Sequence, residues 1–409
     1  YKQYNMKKAI DSNSNKPEKH LPRISSAPLF GHSNEFDYKR DAKYLSKILE
    51  KNNTTNTLDL RSILQFLSLY TCEQRMVLVH GIEYEYKYNL IDMVLEQPES
   101  PLRSCTSAML IEPIELYVRN FHDLLTLKQA DRNNIDISKK LVEILLALNN
   151  NDTKIFKATY ANLFKSSVEK YIEVVKEEKS IFSQLLIELL AGQRLEVPDQ
   201  SASTAKLIAQ KLYESGEGTP GIDYDTFINI FTRDPFSQLS TIFDTYEDKY
   251  GRPIQEAIGR EFQGKIETEC FQDMIEYTRS PGVYYAKILR QALDKNPIDY
   301  VTLTRIIIGH EHKDLSEIKL EYSKIYDETL DETITIRVDT EEIQSLFLMI
   351  ITTGRHVTSS NCRNIHLDHQ IHNSSTGQGT SPLTTRLRKN FSHDALDKLS
   401  HVFKLRRPH

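Results

Sequence analysis

Long apolar runs are missing from this chain. No stretch approaches 18 uninterrupted apolar residues, and the segment from Tyr1 to Pro28 is polar and lysine-rich, so the sequence predicts neither a membrane-spanning helix nor a signal peptide. The first residue is Tyr1 rather than Met, which leaves an upstream segment open. Cysteine is scarce: Cys72, Cys105, Cys270 and Cys362 are scattered with no CxxC spacing, which argues against a disulfide framework or a structural zinc site and points to a reducing compartment. Catalytic signatures are also lacking. There is no GxxxxGKS/T phosphate loop, no HExxH helix and no GxSxG elbow, and Gly377-Gln-Gly379 stands in a low-complexity tail, so no enzyme is expected. Nor is there a basic surplus: 52 Lys and Arg against 57 Asp and Glu give a net charge of -5, which excludes wholesale nucleic-acid wrapping.

That mild charge hides an asymmetry. Residues 1–36 carry +3 and residues 355–409 carry +6, leaving -14 for the segment between, so basic tails flank an acidic body. Both ends are rich in Ser, Asn and other polar residues, a composition that buries too little apolar surface to offset chain entropy. The body has few helix breakers, the whole chain holding only 14 Gly and 14 Pro, and its apolar residues recur at three and four, as in Leu141, Ile144, Leu145 and Leu148. It is predicted to be all-α, with Thr333 to Val338 as the best strand candidate.

Internal repetition sets the architecture. A quartet at i, i+4, i+8 and i+12 occurs four times: Leu78, Ile82, Tyr86, Leu90; Phe156, Tyr160, Phe164, Val168; Ile242, Tyr246, Tyr250, Ile254; and Ile318, Tyr322, Tyr326, Leu330. Nineteen residues before each second member an apolar helix is predicted, marked by Ile63, Leu141, Phe227 and Leu303 with apolar partners at +3 and +4. The constant offset predicts four related helical units, at 37–114, 115–196, 197–281 and 282–354, between a flexible tail at 1–36 and a basic low-complexity tail at 355–409. Val197 to Thr204, with Pro198, Asp199 and Ser203, suits a connector between two halves.

The segment before the apolar helix of the third unit carries the chemistry: Glu214-Ser-Gly216-Glu-Gly218-Thr219-Pro-Gly221-Ile-Asp223. Glycines let a chain turn its carbonyls toward one point, and converging carbonyls coordinate a hard cation such as calcium when a carboxylate joins them. Glu261, in Gly259-Arg-Glu261-Phe-Gln-Gly264, follows Gly221 by forty residues. Asp223 is placed to cap the following helix.

Four all-helical repeats of this length, a glycine loop before the second helix of a repeat and an acid forty residues later resemble the annexin family, over about residues 37 to 354. The second half carries most of the likeness, in FINIFTRDPFSQLSTIFDTYEDKYG, GREFQG and YYAKIL between Phe227 and Leu289, and in TLTRIIIGHEHKDLSEI and KIYDETL between Thr302 and Leu330. The resemblance implies a slightly curved disc of four repeats of five helices, A to E, with calcium bound by A-B loop carbonyls and an acid from the D-E loop. Carried to the third repeat, it implies carbonyl ligation by Gly216, Thr219 and Gly221 and a bidentate Glu261. Thr219 and Pro220 stand where the family usually has a longer side chain and an aromatic. The other loops depart further: Lys295-Asn-Pro297 with Asp299 and Asp339 in repeat 4, Asn133-Asn-Ile135 with Glu177 in repeat 2, and Lys51-Asn52-Asn53 with Glu96 or Glu99 in repeat 1.

The function implied is calcium-dependent binding of anionic phospholipid by a cytoplasmic, peripheral membrane protein. The alternative is an annexin-like scaffold that has largely lost calcium and joins protein partners, cytoskeletal ones included. A partner reached through the basic tails, self-association on membranes and non-classical export stay open, and no nucleic-acid partner is expected. The tyrosines of the quartets are expected to be packing residues and Arg305 half of an inter-repeat ion pair. His366, His369 and His372 are assigned to a polar tail rather than a metal site. Ser392 to Arg407 is a basic amphipathic stretch suited to a membrane or a partner without calcium.

Overall fold

The computed structural model describes residues 36–52, 58–127, 135–175, 180–198, 201–262 and 264–353. Both tails beyond these limits, with the three histidines and Ser392 to Arg407, lie outside the described residues, as do Asn53, Asn133, Asn134, Glu177 and Asp199. Among the described residues the chain forms twenty helices and no strand, all within one compact unit, Tyr38–Ile365.

The helices fall into four quintets. The first holds α1 (Tyr38–Asn52), α2 (Leu60–Leu67), α3 (Cys72–Tyr86), α4 (Leu90–Leu95) and α5 (Pro101–Ala108). The second holds α6 (Pro113–Thr126), α7 (Ile135–Leu146), α8 (Asn150–Phe164), α9 (Val168–Val175) and α10 (Ile181–Ala191). The third holds α11 (Ala202–Ser215), α12 (Tyr224–Arg233), α13 (Phe236–Tyr250), α14 (Ile254–Glu261) and α15 (Lys265–Arg279). The fourth holds α16 (Pro281–Asp294), α17 (Tyr300–Gly309), α18 (Leu315–Tyr326), α19 (Leu330–Arg337) and α20 (Glu341–Thr353). The expected strand, Thr333 to Val338, is corrected: residues 330–337 are helical, and Thr333 and Ile334, adjacent in sequence, are both buried within that helix.

The apolar markers all lie in the second helix of a quintet and are buried there. Three of these helices open on an aspartate N-cap: Asp59, Asp223 and Asp299 accept from the backbone N–H of Ser62, Thr226 and Thr302, satisfying amides that have no partner within the helix. Within every quintet the first helix packs on the third.

The quartets show why the units repeat, with one correction to their expected continuity. Their first two members are buried in the third helix, and the third member (Tyr86, Phe164, Tyr250 or Tyr326) is its last residue and half-buried. The chain then turns through a left-handed residue, Lys87, Lys165, Gly251 or Asp327, with φ of 60°, 55°, 73° and 52°. The fourth member, buried in each case, opens the next helix instead of continuing the same one. Helical spacing alone does not reveal that break. Because a left-handed side-chain-bearing residue is strained, Asp327→Gly is expected to stabilise the fold by about 0.5 kcal/mol, the relief being partly offset by glycine's larger unfolded-state entropy; urea denaturation measures it.

Packing between quintets follows a reciprocal rule. The second helix of one lies on the fifth helix of the other, α7 on α15 and α12 on α10, then α2 on α20 and α17 on α5. The second and third quintets therefore form one pair and the first and fourth another. A continuous core from Tyr117 to Ile275 unites the second and third, on either side of the connector near Pro198.

Buried charge ties the pairs together. Arg305 on α17 donates Nε–H to Glu143 Oε1 on α7 at 3.2 Å, its second nitrogen bonds Glu143 Oε2, and the third reaches Asn120 Oδ1 at 3.2 Å. Burial works against the Arg305 charge, but Glu143 more than reverses that effect and holds its pKa above the usual value. Within the pair formed by the first and fourth quintets, Arg75 on α3 makes a second buried bridge to Glu311, just past α17, at 2.8 Å. Arg305 is thus an inter-quintet ion-pair residue, as expected. No described helix is long and apolar enough to cross a membrane.

Candidate calcium site and its register-matched counterparts

The third-quintet loop is built from below by aromatic and acidic side chains. Tyr213, near the end of α11, stacks on Tyr250 with ring centroids 4.0 Å apart and nearly parallel planes. Glu217 folds inward, accepting Tyr246 OH at 2.7 Å and pairing with Arg252 at 3.1 Å. Gly218 then crosses so close to Tyr213 that a Cβ would stand 2.9 Å from its ring and 3.0 Å from its carbonyl oxygen. Thr219 hydroxyl bonds the Glu214 carbonyl, and Asp223 N–H donates to Ser215 O at 2.9 Å, closing the loop across its base. Gly221 adopts φ +92°, which favours glycine.

These contacts divide the four expected ligands. Gly216 is buried, and its carbonyl accepts the Thr219 N–H at 3.4 Å; Thr219 and Gly221 are exposed, and their carbonyls accept nothing from the described residues. Glu261 is exposed at the end of α14 and pairs with no cation among the described residues. The next residue, Phe262, packs on Tyr224 at 4.9 Å and on Phe227 at 5.1 Å, which holds the end of α14 against the start of α12, three residues beyond Gly221. Asp223 is the cap expected of it. The Thr226 hydroxyl and N–H bind its two oxygens and lower its pKa, so its carboxylate is spent on the helix.

Helix register identifies the counterparts of Glu261 that loop spacing missed. Glu261 is the seventh residue after Ile254, the last quartet member, and the same count from Leu90, Val168 and Leu330 reaches Gln97, Val175 and Arg337. The other acids named above are therefore out of register. Gln97 accepts the Leu58 N–H at 3.3 Å, and Arg337 lies 3.2 Å from Asp294. The residue at the end of the fourth helix is thus tied by the chain itself, to the segment between the first two helices at Gln97 and to the end of the first helix at Arg337. Asp339 instead accepts the Tyr300 hydroxyl at 2.8 Å, and Glu99 sits 3.7 Å from Arg103.

Comparison with known proteins agrees with this layout. The annexin family model matches residues 208–270, spanning the glycine loop, α12 to α14 and Glu261. Annexin B10 of Drosophila melanogaster is 26% identical over 301 residues, covering 73% of this chain and 89% of that protein. The structure of annexin III superposes with a TM-score of 0.70 at 23% identity, covering 80% of this chain and 98% of that one. The chain belongs to the annexin family. Mouse annexin A5 is a further relative, 28% identical over 291 residues that cover 71% of this chain and 86% of that protein. Annexins generally bind phospholipid membranes in a calcium-dependent way, and the all-helical quintets are annexin repeats.

Proposed function

We propose that this annexin binds anionic phospholipid through calcium held mainly by the third repeat, with one helix quintet to each repeat. The observation that carries the reading is Glu261: alone among the four register-matched residues it is an acid, and it is exposed and pairs with no cation among the described residues. Thr219 and Gly221 are exposed residues whose carbonyls accept no amide among the described residues, so the donor set is neutral oxygens and one carboxylate, which suits a hard cation. Gly216 would contribute from the buried side of the loop. Bound calcium would supply positive charge where the acidic body meets an acidic membrane, reversing the local sign that otherwise keeps them apart.

The chain's own residues keep the loop in shape for this. Glu217, Tyr213 and Gly218 fix its base, Asp223 fixes its exit into α12, and Phe262 fixes the helix end that presents Glu261. One such site gives weak attachment, so useful avidity needs further contacts on the same molecule. Gln97 and Arg337 favour the scaffold as the second reading, since two of the three counterparts are closed by internal bonds. Co-sedimentation with phosphatidylserine vesicles separates them: calcium is expected to increase pelleting of the full chain over chelator, and an equal yield in both leaves the scaffold.

A further inference from the structure

We propose that the corresponding loop end of the fourth quintet is a calcium-independent contact for a lipid surface, with side-chain cations in the charge-compensating role that calcium has in the third. This rests on the reading that these loop ends face the membrane. The two quintets match in register, Ile254–Glu261 with Leu330–Arg337 and Tyr224–Arg233 with the helix starting at Tyr300, so their residues compare one for one at an offset of 76.

Three positions change together. Exposed Glu261 becomes Arg337, exposed Asp225 becomes Val301, and exposed Arg260 becomes Ile336. Arg337 lies 3.2 Å from Asp294, whose other oxygen is 2.9 Å from Arg290. Lys295 bridges Asp136 at 3.2 Å and Asp299 at 3.8 Å, and Lys140 approaches Asp299 at 2.5 Å. Asp339 holds the Tyr300 hydroxyl. Asp294, Asp136 and Asp299 each face a cation of the chain, while Asp339 is held by a hydroxyl alone and Glu341 is exposed, so an anionic surface arriving at these pairs meets carboxylates that are compensated in part without an ion.

The two aliphatic replacements say what such a surface would meet. Val301 is 50% exposed and Ile336 is 72% exposed, on the helices whose ends carry these pairs. Aliphatic side chains beside compensated charge suit the interfacial zone of a bilayer, where they leave water while Lys295 and Arg337, each 43% exposed, offset the carboxylates beside them. Two such side chains hold weakly, so the contact adds to the third-repeat bridge within one molecule.

The chain has no tryptophan, so Ile336→Trp in the full-length protein makes a single fluorescent reporter. With phosphatidylcholine–phosphatidylserine vesicles in chelator, its emission is expected to shift to the blue, whereas Arg260→Trp stays unshifted until calcium is added. Val301→Asp with Ile336→Arg installs the third-quintet residues at exposed positions and is expected to reduce chelator-resistant partitioning about tenfold while leaving the calcium-dependent increment. An Ile336→Trp signal that shifts only after calcium, or a double variant that partitions like wild type in chelator, overturns the inference. Glu261→Gln keeps the two readings apart. A calcium increment that survives it sinks the third-repeat site alone, and silence from every reporter with and without calcium sinks both.

Discussion

Glu261→Gln is expected to move the calcium midpoint of vesicle binding upward by at least about tenfold. The substitution keeps shape and exposure and removes one negative charge from a site in which every other expected donor is a neutral carbonyl. A charged hydrogen-bond or ligand contact contributes about 1.5 to 3 kcal/mol, and each 1.4 kcal/mol is a factor of ten in affinity. Two nearby acids cannot stand in. Asp223 is engaged by Thr226 and Glu217 by Tyr246 and Arg252, so neither carboxylate is free to replace Glu261. Calcium titrations of co-sedimentation measure the midpoint, and a curve that overlies the wild type would remove Glu261 from the site. Because Glu261 is exposed, the variant should unfold at the wild-type urea concentration, which separates a lost ligand from a lost fold.

The second large effect concerns the centre of the molecule. Glu143→Leu would leave the Arg305 guanidinium buried opposite an apolar side chain, with Asn120 still accepting one of its hydrogen bonds, and is expected to cost about 3 to 5 kcal/mol. Pairing it with Arg305→Met should recover most of that loss, because two apolar residues of similar volume need no desolvated charge. Urea denaturation of the two single variants and the double variant gives the coupling. Single variants within about 1 kcal/mol of wild type would mean that water reaches this pair despite its burial.

Much of the fold was legible because its information is periodic. The nineteen-residue offset between Ile63 and Ile82, repeated three more times, reports helix lengths and a connecting turn that recur wherever the same two helices must pack. Asp223 could be named as a cap because capping is a local event between a side chain and an amide three residues on. The break after Tyr86, Phe164, Tyr250 and Tyr326 was not legible, since one left-handed residue leaves the four-residue spacing intact while redirecting the chain. Thr333 to Val338 misled for a related reason: its alternating threonines and aliphatics suit a strand, but the tertiary core holds residues 330–337 as a helix.

The candidate site divided in the same way. Glycine spacing and the forty-residue interval pointed to Gly216, Thr219, Gly221 and Glu261, because those residue types limit what backbone and side-chain oxygens can do. The roles of Gln97 and Arg337 emerged only from helix ends, where register rather than nearest acid defines equivalence. The inward turn of Glu217 likewise depends on Tyr246 and Arg252, 29 and 35 residues away in sequence.

By itself the sequence determined an all-helical chain of four related units, an acidic body between basic tails and one glycine loop with a distant carboxylate, because composition and period act locally along the chain. Tertiary structure decided which units pack on each other, second with third and first with fourth, and which acids are spent on internal bonds. Those outcomes depend on side chains meeting across more than a hundred residues, as Arg305 meets Glu143, and no local pattern encodes the partner.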